Sequence, residues 1–326
     1  MPSPTVYILQ ENPEWTAPLE AELQRIGTPF ETWNLASGQL RLADAPPNGV
    51  FYSRMSASAH TRGNRYAPEY TATVLRWLEQ HEAVVLNGTR ALTLELSKAA
   101  QHLALEACGI RTPQTIVVVG QDQLLRAAAQ FDGDFIVKHN RGGKGLGVEK
   151  FSGVVELAAR LHDCAMDDPA MDKPVDGTYL VQQYIRSPQN FITRCEFIDG
   201  EFLYAVKVDA SEGFELCPAD VCLPQQAVCD VPATATPKFQ VIQNFESPLL
   251  EAYLRFLKHN EIAVAGIEFI VDASGQAYTY DINTNTNYNA QAESAVGKSG
   301  MRQLACALTR RLWSSCQAEP EASLAS

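Results

Sequence analysis

The segment Asp134-Phe-Ile-Val-Lys138-His-Asn-Arg141-Gly-Gly-Lys144-Gly-Leu-Gly147-Val148 constrains this chain more than any other. A β-prone run ends in a lysine, four glycines follow within seven residues, and a second β-prone run begins. Glycines let successive backbone N–H groups turn inward and line an anion-binding concavity. Lys138, Arg141 and Lys144 add positive charge around Gly142, Gly143 and Gly145, and the natural guest of such a nest is a polyphosphate. No Gly-Lys-Ser/Thr opens a helix after the loop, which sets it apart from a P-loop. The glycines lead into a strand and not a helix, which sets it apart from a dinucleotide fingerprint. The pattern predicts a hairpin lid over phosphates; a glycine-rich turn that binds nothing is the plain alternative.

The chain has 326 residues, enough for two or three domains, and 46% hydrophobic residues mark it as globular. A net charge of −12 argues against a general nucleic-acid binder but leaves room for a local basic pocket. No apolar run approaches the roughly 20 residues of a membrane helix. The first residues read as a strand and not a leader, so no membrane partner and a cytoplasmic location are expected. Of the eight cysteines, Cys217, Cys222 and Cys229 lie close together without the Cys-x-x-Cys pairs of most zinc sites. Free thiols are the expectation, with a zinc site as the alternative.

Strand and helix signals alternate over the first 88 residues (strands 5–9, 50–53 and 83–86; helices 15–26 and 66–80), which predicts a small α/β domain with a parallel sheet. One helix is expected over 90–107, with Leu92, Leu96, Ala99, Leu103 and Ala107 on one buried face and Gly109 and Pro113 ending it. Strand 115–119, helix 122–130 and strand 134–138 complete a second unit, 89–175. The third, 176–316, is expected to hold strands 179–183, 191–197 and 201–208, a polar stretch 209–246, helix 248–258, a hairpin 266–271/277–282 and a final helix 300–314. Residues 317–326 read as a disordered tail.

The hairpin carries acids where apolar residues are expected: Glu268 in Gly266-Ile-Glu-Phe-Ile-Val271, and Asp281 and Asn283 two apart in Tyr278-Thr-Tyr-Asp-Ile-Asn283. Residues at i and i+2 of a strand share a face. A turn pairing Asp272 with Gly275 puts Glu268 opposite Thr279, on the face of Asp281 and Asn283, with Tyr278 and Tyr280 on the other. Diagonal neighbours lie roughly 7–8 Å apart, so three oxygen donors can share a hard cation such as Mg²⁺. The alternative is a merely polar sheet face.

With both pieces in place, the chain resembles the ATP-grasp ligases, in particular the RimK-type glutamate and peptide ligases; D-alanine–D-alanine ligase and glutathione synthetase are more distant relatives. The resemblance runs from about Val50 to Gln291. It rests on Ser97-Lys98 followed by Gly109-Ile-Arg-Thr-Pro113, on Phe135-Ile-Val-Lys138 with the glycine loop, on Tyr179-Leu-Val-Gln182-Gln183-Tyr184-Ile185, and on the two hairpin segments. It implies an α/β fold, α+β in its C-terminal part, in which a small N-terminal parallel domain precedes the ATP-grasp domains. It implies an ADP-forming carboxylate–amine ligase acting on amino acids or short peptides through an acyl phosphate.

Roles follow residue by residue from the resemblance. Lys98 and Lys138 contact the α- and β-phosphates of ATP. Gln182, Gln183, Tyr184 and Ile185 line the adenine slot. Glu268, Asp281 and Asn283 hold one or two Mg²⁺ ions, with Mn²⁺ as an alternative. Arg194 and Lys207 fall where the family has basic residues reaching phosphoryl or acyl groups. Arg54 would bind a substrate carboxylate and Asp220 an amine, and Asn285 lies in a loop near the acceptor. A dimer or tetramer is a further expectation. The sequence departs from the family pattern at Ser97, where an acid is usual, at Gln183 in place of glutamate, in the swapped carboxylate lengths of Glu268 and Asp281, and in Thr284-Asn-Thr-Asn-Tyr-Asn289 where a small-Pro-Gly turn is common. A non-catalytic ATP-binding module, a small-molecule kinase and an enzyme adding glutamate to a protein tail remain as rival readings.

Overall fold

A computed structural model describes residues 3–143, 145, 147–164, 173–211, 213 and 237–317. Lys144, Asp220, the segment Phe214–Asp220, the three neighbouring cysteines and all but the first residue of the expected tail lie outside the described residues.

Strands β1 (Thr5–Gln10), β2 (Phe30–Asn34), β3 (Gly49–Ser53) and β4 (Val84–Leu86) form a parallel sheet in the order β2-β1-β3-β4. Its central strand is apolar on both faces because both are covered. Val6 and Ile8 meet Leu19 and Leu23 of α1 (Pro13–Ile26), whereas Tyr7 and Leu9 meet Val74, Leu75 and Leu78 of α2 (Ala67–Gln80). The face of Val6 is also covered by Leu304, Leu308 and Leu312, from a helix at the far end of the chain, so the first domain borrows its second wall. Strand β2 was not legible in the sequence: Phe-Glu-Thr-Trp-Asn at a sheet edge lacks an apolar run.

The expected helix 90–107 is two helices, α3 (Thr89–Leu96) and α4 (Lys98–Ala107). Ser97 between them is extended, and its hydroxyl accepts the Ala100 N–H to cap α4. The break resets the helical phase. Leu103, expected inside, is 71% exposed, while Gln101, His102 and Leu105 face the core. Periodicity read through a cap therefore assigned the wrong face beyond it.

The second sheet is antiparallel, in the order β5-β8-β6-β7, from β5 (Thr115–Val119), β6 (Phe135–His139), β7 (Glu149–Phe151) and β8 (Thr178–Gln183). Strand alternation divides its labour. Phe135, Val137, Tyr179 and Val181 pack beneath α5 (Leu124–Ala128) and α6 (Val154–Cys164), while Ile136, Lys138 and Gln182 face a cleft.

The third sheet, also antiparallel, runs β11-β10-β9-β12-β13, from β9 (Phe191–Ile198), β10 (Glu201–Asp209), β11 (Phe239–Ile242), β12 (Val264–Val271) and β13 (Ala277–Asn283). On one face Cys195, Phe197, Ile267 and Phe269 pack against α7 (Leu249–His259) and against Ala91, Leu94 and Leu105 of the α3–α4 pair. The α3–α4 pair, which the sequence grouped with the second sheet, thus buries its apolar residues Ala91, Leu94 and Leu105 against this one. On the other face Ile192, Val206 and Val264 run under α9 (Gly300–Gln317), the helix shared with the first sheet. Short α8 (Ala290–Ser294) precedes it.

Phe256 is fully buried at the centre of the α7 cluster. Phe256→Ala is expected to cost about 3–5 kcal/mol of unfolding free energy in chemical denaturation; a loss below about 1 kcal/mol would contradict this packing.

Candidate functional site

A cleft of about 420 Å³ separates the second sheet from the third and is closed at one end by the first domain. Gly142, Gly143 and Gly145 line it, together with Lys138 and all four residues 182–185. Ile136, Ile185 and Ile270 give one end apolar walls, and the Lys150 ammonium lies 4.3 Å from the centre of the Tyr184 ring. Such a slot suits a flat heterocycle.

Lys138 is 5% exposed and donates to Gln182 Oε1 at 2.9 Å. Burial, and then the charge of Lys98, pull its pKa down to about 7. Gln182 is oriented in turn. Its Nε2 donates to Thr115 Oγ1 at 2.9 Å and lies 3.1 Å from Nε2 of His102, whose ring burial and the nearby lysines hold at a pKa of about 3 and thus neutral. Lys98, at the first position of α4, is ion-paired with Asp281. This pairing holds the lysine charged above its ordinary value despite burial.

The hairpin β12–β13 differs from the regular turn-counted register. Glu268 pairs with Asp281 and Phe269 with Thr279, so Tyr280 is an extra residue bulged out of the ladder. Glu268 and Asp281 are consequently direct neighbours and not diagonal ones, and Asn283 follows on the same face. Tyr280, expected on the far side, instead donates its hydroxyl to Glu268 Oε2 at 3.1 Å. The bulge was invisible in the sequence because its residues are ordinary strand formers.

Arg194 lies across this face, 5% exposed. Its Nη1 donates to Glu268 at 2.9 Å, its Nε to Glu196 at 2.6 Å and its Nη2 to Thr286 Oγ1 at 2.6 Å, while Thr286 donates to Glu196 at 2.8 Å. Gly266 makes room for it: a Cβ there would lie 2.7 Å from the guanidinium carbon. Burial, reinforced by Asp281 and opposed by Arg194, raises the Glu268 pKa, whereas Lys98 outweighs burial at Asp281 and holds that carboxyl low.

The donor set of Glu268, Asp281 and Asn283 is all hard oxygen, which fits Mg²⁺. Lys98 and Arg194 each press a cation onto one of the carboxylates, so positive charge is demanded at that point. Asn283 Nδ2 lies 3.3 Å from Asp281 and 3.5 Å from Glu268; turning the amide over presents its oxygen to the same point. Among the described residues no three His, Cys, Asp or Glu side chains cluster to hold a metal, since the third donor here is an amide.

Other expected site residues fall elsewhere. Lys207 pairs with Thr193, on the sheet face opposite Arg194; it is exposed, with its ammonium 4.4 Å from the centre of the Phe191 ring, and does not reach the cleft. Arg141 turns away from the nest to bond Glu69 of α2 at 2.9 Å. Burial at Glu69 is overcome by Arg141 and Arg65, leaving its pKa at about 2. Arg54 is 2% exposed and does not itself line the cleft; its Nη2 donates at 2.8 Å to Oδ1 of Asn287, which does, and among the described residues its Nε and Nη1 have no partner. Asn285 lines the cleft with a buried Oδ1 that has no partner among the described residues. Sequence reading missed Glu95, which accepts from Ala57 N at 3.2 Å and Thr284 N at 2.8 Å and so ties the first domain to the loop after β13. A glutamate flanked by Leu94 and Leu96 was the available signal.

No protein-family model and no curated protein matches the chain. Solved structures do. A D-cycloserine synthetase, DcsG, superposes with TM-score 0.63 at 15% identity, over 94% of this chain and 99% of that one. A RimK domain ATP-grasp protein from Sphaerobacter thermophilus gives TM-score 0.61 at 16% identity, over 93% and 99%. The ATP-grasp ligase PsnB, in complex with a phosphomimetic variant of its minimal precursor, Mg and ADP, gives 0.61 at 15%, over 95% and 99%. The chain has the ATP-grasp fold.

The depressed Lys138 pKa has a stability consequence of definite sign. The unfolded lysine keeps its proton up to its ordinary 10.5, while the folded one loses it from about 7. Between these values the unfolded chain binds more protons, so stability rises with pH, by up to about 1.4 kcal/mol per unit. Below pH 7 the cost of burying the charge is fully present. Denaturation of the ligand-free protein from pH 7 to 9.5 should show this slope, and Lys138→Met should remove it; equal slopes in both proteins would refute the assignment.

Proposed function

We propose that the chain is an ATP-dependent carboxylate–amine ligase of the RimK type, joining an amino acid or short peptide to an amine and forming ADP and phosphate. The observation that carries this reading is the convergence of Lys98, Lys138 and Arg194 with Glu268, Asp281 and Asn283 around one cleft, beneath a glycine loop. The fold is shared with enzymes named as ligases and synthetases, one of them bound to a precursor peptide, which supports an amino-acid or peptide substrate.

In this reading Ile136, Tyr184 and Ile185 hold adenine, and Lys98 and Lys138 turn from Asp281 and Gln182 to the phosphates. A phosphate beside Lys138 restores the proton that burial removes. The released carboxylates of Glu268 and Asp281, with Asn283, would hold Mg²⁺, which would supply positive charge to neutralise the polyphosphate. An oxygen of the substrate carboxylate bonds to the γ-phosphorus as the bond to the bridging oxygen breaks, and ADP leaves. Arg194, fixed by Glu196 and Thr286, faces the negative charge that spreads over the phosphoryl oxygens. The amine then attacks the acyl carbon, phosphate departs, and the amine sheds a proton. The glycine loop excludes water that would hydrolyse the acyl phosphate. Arg54 has two nitrogens, Nε and Nη1, without partners among the described residues, with which to take a carboxylate of the substrate beside the acceptor loop of Asn285 and Asn287.

Phosphate release from ATP and Mg²⁺ with pooled amino acids and dipeptides, followed by mass spectrometry, tests the reading. A product lighter by one water than its summed substrates is expected. A phosphorylated product would make the protein a kinase, and ATP binding without turnover on any pool would make it a binding module. Arg194→Met should lower turnover by about 10²- to 10³-fold. Arg54→Gln should raise KM for the carboxylate substrate about 10- to 100-fold with little change in kcat, as loss of a charged hydrogen bond would; an unchanged KM would remove Arg54 from the substrate site.

A further inference from the structure

Asn140 is 7% exposed and bonded in two directions at once. Towards α4, its backbone oxygen accepts from Lys98 N at 3.2 Å, and its Oδ1 accepts from Ala99 N at 2.9 Å and from the Ser97 hydroxyl at 3.1 Å. Towards the second sheet, its backbone N–H donates to Thr178 O at 3.0 Å and its Nδ2 to Asp176 Oδ2 at 2.7 Å. The first N–H groups of a helix have no partner within it. Here Ser97 satisfies those of Ala100 and Gln101, while a residue from another sheet satisfies those of Lys98 and Ala99.

The placement matters because of what lies on either side. Asn140 is two residues beyond Lys138 on the strand that enters the glycine loop, and α4 begins with Lys98. The helix itself is fastened to the third sheet: Gln101 Nε2 donates to Ile282 O at 2.8 Å, and its Oε1 accepts from Ile282 N at 3.1 Å. The second sheet carries one lysine, the third sheet's helix carries the other, and Asn140 is bonded to both supports.

We propose that Asn140 is a positioning residue that latches the second sheet to α4, so that Lys98 and Lys138 are held in one frame for the phosphates. This rests on the nucleotide reading given above. It also explains why the predicted helix 90–107 breaks at Ser97: the extended residue lets Asn140 approach the new N-terminus.

The test is a cycle of variants read in two ways. Hydrogen exchange, without any ligand, reads the latch. In Asn140→Ala the amide of Ala99, which loses its side-chain acceptor, should exchange at least tenfold faster than in wild type. The reversed pair Asn140→Asp with Asp176→Asn, which keeps the acceptor towards α4 and supplies the donor from position 176, should restore slow exchange. Calorimetric binding of ADP with Mg²⁺ reads the positioning. Asn140→Ala should weaken ADP at least tenfold in the wild-type background but less than twofold in Lys98→Met, and the reversed pair should recover affinity to within threefold. Equal weakening in both backgrounds, or unchanged exchange in Asn140→Ala, would overturn the proposal. Wild type that binds no ADP would remove the proposed function, and the exchange pattern would then decide the latch alone.

Discussion

The cleft is organised around the buried guanidinium of Arg194. A cation at this depth is costly unless carboxylates neutralise it and its nitrogens find acceptors. Glu196 and Glu268 supply the charge, Thr286 takes the remaining Nη2, and Gly266 supplies the space by having no side chain. Two of these partners are permanent structure. The third, Glu268, also belongs to the oxygen set of the hairpin, so the arginine and a metal ion would compete for it. In the proposed reading this competition would make the site responsive: charge brought in with a nucleotide would rearrange pairs that already exist.

The same logic extends outward. Lys98 shields Asp281, Lys138 leans on Gln182, and Gln182 is aimed by a neutral His102. The two lysines thus each rest on a side-chain oxygen, Asp281 for Lys98 and Gln182 for Lys138. Removing one partner of a buried pair leaves an uncompensated charge, typically about 3–5 kcal/mol. The apparent redundancy of acids and bases is therefore what allows a highly charged cleft to exist between two packed sheets.

Residues 138 to 141 show how one strand end joins three bodies. Lys138 faces the cleft, Asn140 bonds α4, and Arg141 bonds Glu69 of the first domain. The far end of the chain closes the structure from the other side, because α9 packs on both the first and third sheets. The first domain thus sits over one end of the cleft with its position fixed by a strand end, a glutamate at 95 and a borrowed helix.

What the sequence determined by itself was local: strand parity at Lys138, the glycine-lined loop, the oxygen donors of the hairpin, the parallel first domain, and the resemblance that ordered them. These depend on spacing along the chain, which the sequence states directly. Tertiary structure alone decided which charges meet. Lys207 and Arg141 carry the right charge, yet register turns one to the opposite sheet face and an ion pair draws the other to α2. Glu95, Glu196 and Thr286 matter through partners distant in sequence. The bulge at Tyr280 and the break at Ser97 changed facing and phase without any residue that announces them, because the hydrogen bonds that stabilise both come from other elements of the fold.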